Sequence, residues 1–304
     1  MQRQKFSRRQ FLRSTTVLAG ALAFSPLLAG AAESRKRLTA VDQVTLGKTG
    51  LKLSRLGIGV GSNSGNVQRS LGHEEFDRLV RYAYDQGITY IDTADSYKTH
   101  TWVRQAVKGI PREKLFIQSK MNGLPEKPLE VMDSFRKELG TDYIDSLLIH
   151  CKVTSNWDED HKRLMDAFEE AKDKKIIRAH GVSCHSLPAL TLAAKLDWVD
   201  VNLVRINPQG AWIDTPAETW NATSNASHLL PVLKQIEIMR KNRHGIIGMK
   251  LIGNGDFTKA EDRETSIRFA MQCGLLDAAV IGFKSTAEID EAIERSNRAL
   301  AQIS

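Results

Sequence analysis

Eight short apolar runs, separated by longer stretches of helical period, dominate the chain from about residue 44 onward, and this alternation limits the folds open to it. The candidate strands are residues 56–60, 88–91, 115–118, 144–150, 179–183, 199–206, 245–249 and 278–282. Between them Phe76, Leu79, Val80, Ala83 and Tyr84 fall on one helical face, as do Leu164, Ala167, Phe168 and Ala171, and again Ile289, Ala292, Ile293 and Leu300. Gly87 closes the first of these helices as a C-cap would. Strands alternating with helices make either an open doubly wound sheet or a closed barrel. A doubly wound dinucleotide-binding sheet needs a glycine fingerprint after its first strand, and Gly57-Ile58-Gly59-Val60-Gly61 has the wrong spacing for one. The sequence therefore predicts an α/β fold of the (β/α)8 TIM-barrel class.

Composition fits one such domain, since 304 residues with 41% apolar and 26% charged exclude disordered, collagen-like and disulfide-scaffold chains. The net charge of +7 raises the question of nucleic acid. Five basic residues, Arg3, Lys5, Arg8, Arg9 and Arg13, lie within residues 1–31, which hold no acid, and the rest of the chain carries 38 basic and 36 acidic groups. The excess is confined to one end, so no nucleic-acid partner is expected.

That end has a basic start, an uncharged run over 14–32 and the small-residue triplet Ala29-Gly30-Ala31, the parts of an export signal. Within it Ser7-Arg8-Arg9-Gln10-Phe11-Leu12 resembles the twin-arginine translocation signal. The resemblance implies the twin-arginine export machinery as a partner, a periplasmic or otherwise exported location, and passage in the folded state. The expected organisation is a signal peptide over 1–31, a linker over 32–43 and a barrel over 44–304. The uncharged run is about long enough to span a bilayer, although Pro26 and several Gly and Thr residues dilute it, so membrane contact is expected only if the signal is retained. Cys151, Cys184 and Cys273 cannot all pair and are read as thiols.

Chemistry on such a barrel sits on the loops after the strand C-termini. There the chain carries Asp92-Thr93-Ala94-Asp95-Ser96-Tyr97, then Ser119-Lys120-Met121-Asn122, His150-Cys151, and Ser183-Cys184-His185. Singly, Asp92 could cap a helix, Tyr97 and Lys120 could be rim residues, and His150 a core histidine. At consecutive strand ends, a carboxylate, a phenol, an ammonium and an imidazole point together to acid–base catalysis.

The chain from Val44 to the last helix resembles the aldo-keto reductase family. Val44-Thr45-Leu46-Gly47-Lys48-Thr49-Gly50-Leu51 looks like the family's N-terminal β-hairpin, which plugs the bottom of the barrel. Ile91-Asp92-Thr93-Ala94-Asp95-Ser96-Tyr97 keeps its Asp–Tyr spacing, Trp102 to Val107 follows like its next helix, and Lys120, His150 and Gly181-Val182-Ser183 end the next strands in order. The resemblance implies Asp92, Tyr97, Lys120 and His150 as the catalytic set and a small-molecule carbonyl compound as substrate. Hydride arriving at a carbonyl carbon builds negative charge on oxygen, which needs a proton donor and a polarising partner. Tyr97 is expected to donate, with its pKa lowered by Lys120, Asp92 to hold Lys120, and His150 to orient the carbonyl.

Cofactor contacts implied by the resemblance are partly altered. Ser183 is kept, whereas Cys184 stands for Asn, Leu203 for Gln and Met249 for a stacking Tyr. Gly248-Met249-Lys250-Leu251 resembles one branch of the family. Ile281-Gly282-Phe283-Lys284-Ser285 resembles the clamp on a 2′-phosphate, but Glu288 stands for Gln and Ala292 for Asn. NADP(H) is the expected cofactor on the strength of Lys284 and Ser285. NAD(H) stays open, because a carboxylate repels a 2′-phosphate and accepts from a free 2′-hydroxyl.

Two other functions compete. His150, Cys151, Cys184 and His185 have metal-ligand chemistry and could serve a metal-dependent hydrolase or lyase. The altered nicotinamide anchors could instead mark a non-catalytic nicotinamide-binding or sensing module. The connection over 207–228, with Trp212 and Trp220, is long for a barrel loop and could wall a substrate pocket.

Overall fold

The structure, a computed structural model, describes residues 37–303; the twin-arginine motif and the segment read as a signal lie outside the described residues. Strands β1 (Gln43–Thr45) and β2 (Lys52–Ser54) form an antiparallel hairpin with Val44 opposite Leu53. Then come β3 (Leu56–Gly59), β4 (Tyr90–Asp92), β5 (Phe116–Met121), β6 (Ile144–Lys152), β7 (Ile177–Cys184), β8 (Val201–Arg205), β9 (Gly245–Met249) and β10 (Ala278–Gly282). These eight run parallel, and β10 bonds back to β3, so the sheet closes. Closure decides for the (β/α)8 barrel over the doubly wound sheet. Each strand expected from the sequence is present, with ends shifted by a few residues at most.

The helical faces read from the sequence turn inward as expected. Phe76, Leu79, Val80 and Ala83 are buried on the helix Gly72–Asp85, which ends just before Gly87 at φ +95°. Leu164, Phe168 and Ala171 are buried on Lys162–Asp173, and Ile289, Ala292 and Leu300 on Thr286–Leu300. Because side chains alternate along a strand, each barrel strand feeds two cores. Ile58, Ile91, Ile117 and Leu147 pack outward against the helices. Tyr90, Phe116, Leu148, Val201, Leu203 and Ile247 fill the interior.

The hairpin closes the interior from below. Leu46, Leu51 and Leu53 join the inner core. Leu46 lies so close to β9 that a Cβ on Gly245 would stand 2.5 Å from its Cγ. The Lys48 N–H donates to the Arg243 carbonyl at 2.6 Å, tying the hairpin to the barrel. The segment 37–42, expected as exposed linker, lies against the barrel instead: Ala40 is buried, its N–H donates to Asn297 Oδ1 at 2.7 Å, and its carbonyl accepts from Leu56 at 2.8 Å. Among the described residues no helix is long and apolar enough to cross a membrane.

Leu46→Ala would empty the plug without touching the opposite rim. It is expected to cost about 2–4 kcal/mol of stability, read as a lower urea midpoint at unchanged slope. A cost under about 0.5 kcal/mol would show that the hairpin does not seal the core.

Candidate active site

The barrel places Asp92 at the end of β4 and Lys120 on β5, both facing the interior, where β4 and β5 are paired through Asp92 and Gln118. Lys120 Nζ donates to both Asp92 carboxylate oxygens and to the Thr93 carbonyl, each at 2.8 Å. Its three protons are therefore all placed. Gln118 Nε2 donates to Asp92 Oδ1 at 2.8 Å and to the Tyr90 hydroxyl at 2.9 Å, bracing the carboxylate from beneath. Asp92 is thus a buried counterion, and the helix-cap alternative does not apply.

Tyr97 sits on the single turn Asp95–Tyr97 that follows β4. Its ring crosses Gly61, where a Cβ would stand 2.2 Å from Cε2, so only glycine leaves room. The Arg69 guanidinium donates to the Tyr97 carbonyl, holding the turn. Lys120 Nζ lies 4.8 Å from the ring centroid. The Tyr97 hydroxyl stands 3.4 Å from His150 Nε2, and Ser96 Oγ stands 3.5 Å from His150 Nδ1. The four residues singled out in the sequence therefore meet at one mouth, with the Tyr97 hydroxyl and His150 Nε2 able to reach one substrate oxygen.

From this mouth a cleft of about 580 Å³ passes along Met249, Lys250 and Phe257 to Lys284 and Glu288 at the start of the last helix. Ser183 lies in the interior level with Leu203, and its Oγ is buried without a partner.

A model of the aldo/keto reductase family matches residues 55–303. The chain belongs to that family. It is 31% identical over 166 residues to a 9,11-endoperoxide prostaglandin H2 reductase of Trypanosoma cruzi, covering 52% of this chain and 54% of that protein. It is 29% identical over 137 residues to a methylglyoxal reductase of Salmonella typhi, covering 42% and 51%. The chain spans about half the length of the curated relatives it matches. Among solved structures, an aldo-keto reductase of Bacillus halodurans in its holo form aligns with TM-score 0.66 at 16% identity, covering 87% of this chain and 96% of that one. One from Brucella melitensis aligns at 0.61 and 20%, covering 87% and 100%. Both show the shared fold.

Against the aldo/keto reductase pattern, the expected cofactor residues divide. Met249, Lys284 and Glu288 line the cleft. Leu203 belongs to the inner core, level with Ile247 and so beneath Met249, and does not reach the cleft. Cys184 packs in the outer core between sheet and helices, because strand alternation turns it away from Ser183. Among the described residues no group of three or more His, Cys, Asp or Glu is arranged to hold a metal ion. Ser285 caps the last helix, accepting from Glu288 N–H at 3.3 Å, and the Glu288 carboxylate accepts from Lys284 N–H at 2.7 Å.

Electrostatics differ from the expectation in one respect. Burial raises the Tyr97 pKa, and this outweighs the lowering by Lys120, so the phenol is a weaker acid here than in water. Burial opposes charge on Lys120, but Asp92 and Tyr97 more than offset it and its pKa is raised. Burial, reinforced by Lys120, Lys152 and Lys250, drives His150 well below its ordinary value, leaving a neutral imidazole at pH 7. Sequence reasoning missed Gln118, though it lies two residues before Lys120 and so on the same strand face. It also missed Lys250, whose pKa falls to about 8 through burial and the charges of Arg205 and Lys120.

Lys120→Met would leave the buried Asp92 charge without its counterion, an expected loss of about 3–5 kcal/mol. The Asp92→Asn, Lys120→Met double variant should cost less than the two single changes together. Urea unfolding of all three checks this, and strictly additive costs would mean that the two charges are not coupled.

Proposed function

We propose that this protein is a nicotinamide-dependent oxidoreductase that reduces an aldehyde or ketone, with Tyr97 as proton donor and His150 orienting the carbonyl. The observation that carries the reading is the convergence of the Tyr97 hydroxyl and His150 Nε2, 3.4 Å apart, above the buried Lys120–Asp92 pair. A bound nicotinamide would supply the hydride. The Met249 side chain and the cleft it lines with Lys250 and Phe257 fit such a group. With His150 neutral, the proton delivered to the developing alkoxide comes from the Tyr97 phenol. Lys120 stabilises the phenolate left behind, its charge lying 4.8 Å from the ring. The relatives named as reductases of carbonyl or peroxide compounds support the reaction class. Export by the twin-arginine route is part of the same proposal and rests on the motif at Arg8-Arg9.

At the adenosine end we read NAD(H) in place of the NADP(H) suggested by Lys284 and Ser285, on the strength of Glu288. The Ser285 hydroxyl is spent on its helix cap and the Lys284 N–H on Glu288. The Glu288 and Glu291 carboxylates both face the cleft, and Arg263 is already paired with Glu291 at 2.8 Å. A 2′-phosphate would meet the Glu288 carboxylate there, beside the Lys284 side chain and the paired Arg263 and Glu291, whereas a ribose hydroxyl would find an acceptor in Glu288.

Calorimetric titration should give one site per chain with NADH bound at least about tenfold more tightly than NADPH, and Glu288→Gln should narrow the gap. Binding of neither would overturn the oxidoreductase reading; tighter NADPH would overturn only the choice of cofactor. Tyr97→Phe should lower kcat by about a hundredfold or more. Because the Tyr97 pKa is raised, the phenol stays protonated across the neutral range. The alkaline fall in kcat/KM for reduction should therefore lie above the ordinary phenol value of about 10. A fall near neutrality would show that another group donates the proton.

A further inference from the structure

Immediately after His150 the backbone of β6 breaks its regular course. Cys151 has φ +56°, in the left-handed region, and the pairing with β7 slips between Ile149 and Lys152. An irregularity of this kind interrupts the in–out alternation and re-aims a side chain. Its result is that Cys151 Sγ lies 2.7 Å from His185 Nδ1, while the His185 ring centroid is 6.4 Å from that of His150. His185 is held firmly: its N–H donates to the Lys152 carbonyl at 2.7 Å, and its own carbonyl accepts from Arg205, which is locked against the buried Asp214 carboxylate at 2.7 Å. The catalytic assignment above uses neither Cys151 nor His185. Cys184 is fully buried in the outer core, and Cys273 stands apart near the end of the helix Ala260–Gln272, where its thiol donates to the Ala270 carbonyl.

We propose that Cys151 and His185 form a thiol–imidazole pair that captures α,β-unsaturated aldehydes and ketones covalently at the same mouth. One conjugated molecule offers both ends of the match. Its hard carbonyl oxygen fits the Tyr97–His150 hydrogen-bonding pair, and its soft β-carbon fits the thiol one residue further along the chain. As the bond from Sγ to the β-carbon forms, the thiol proton passes to His185 Nδ1 and the alkene electron pair shifts toward the carbonyl oxygen held by Tyr97. The proton then returns to the α-carbon, giving a saturated carbonyl compound joined to Cys151 as a thioether, with no net oxidation or reduction. Burial, with Arg205 as the next cause, holds His185 well below its ordinary pKa, so its ring is neutral before reaction and takes the proton only as the bond to carbon forms. Arg205, Lys152 and Lys250 surround the thiol and favour its anion against the burial that raises its pKa.

For its oxygen end the inference rests on the site proposed above, and its test therefore omits the nicotinamide. The full chain is incubated with crotonaldehyde without cofactor, reduced with borohydride to fix the adduct, and mapped by mass spectrometry. The expected result is a single adduct at Cys151, with Cys184 and Cys273 unmodified. His185→Gln should slow the labelling by at least about tenfold, the lower end of a general base's contribution. Tyr97→Phe should slow it as well. Methyl methanethiosulfonate, which needs no carbonyl activation, should still modify Cys151 in both variants, separating lost catalysis from lost access. Labelling of Cys273 as fast as Cys151, labelling indifferent to His185→Gln, or a Cys151 that reacts with neither reagent would each overturn the proposal. None of these outcomes alters the cofactor titration, so the two readings fail separately.

Discussion

The rim of this barrel is organised around one buried ion pair. Lys120 and Asp92 are taken out of water together, and such a pair is tolerable only when the remaining hydrogen-bonding positions are filled. Here they are: Lys120 places its three protons on Asp92 and the Thr93 carbonyl, and Asp92 receives a further proton from Gln118, itself anchored on Tyr90. These contacts tie the ends of β4 and β5 together and fix where the turn carrying Tyr97 leaves the sheet. The ammonium then lies beneath the phenol ring with its charge directed and its protons committed. Its effect on Tyr97 is opposed and outweighed by burial. The chain thus keeps a phenol that holds its proton more firmly than a phenol in water.

The second constraint is the strand irregularity at Cys151. On a regular β6, successive side chains would face opposite sides of the sheet, and a residue adjacent to His150 would be lost to the outer core as Cys184 is on β7. The left-handed residue at 151 gives the mouth two neighbouring functional side chains from one strand end. It also sets Lys152 to accept the His185 N–H, which fastens the end of β6 to the residue just after β7. From there Arg205 continues the connection to Asp214 and to the Trp220 carbonyl, so the long connection over 207–228 is anchored on the floor of the mouth.

Much of this was legible in the sequence because period and position carry it. The eight strands, the faces of the helices and the four rim residues all follow from where apolar and polar side chains recur. The plugging hairpin was legible only through the family resemblance. What escaped the sequence reading depends on direction and not on identity. Cys184 and Leu203 stand where the family resemblance implies cofactor contacts, yet strand alternation sends one outward and depth within the barrel keeps the other below the cleft. The sign of the Tyr97 shift escaped for a similar reason: the presence of Lys120 nearby was readable, but the burial that overrides it is a property of the closed fold.

The charges left over at the mouth make a final connection between site and ligand. Lys120 is matched by Asp92 and Arg205 by Asp214, but among the described residues Lys250, which faces the cleft, has Asn254 as its hydrogen-bond acceptor, at 2.6 Å, and burial brings its pKa down to about 8. A lysine in that condition has unfavourable self-energy that a nearby anion would relieve. The same excess of cations contributes to keeping His150 and His185 neutral, so an anion bound beside Lys250 would weaken that pressure on both imidazoles. A dinucleotide bound as proposed would bring a pyrophosphate into this cleft. Its binding would thus raise the Lys250 pKa again and the basicity of the two histidines at the reacting end, coupling occupancy of the cleft to the proton chemistry of the mouth through electrostatics.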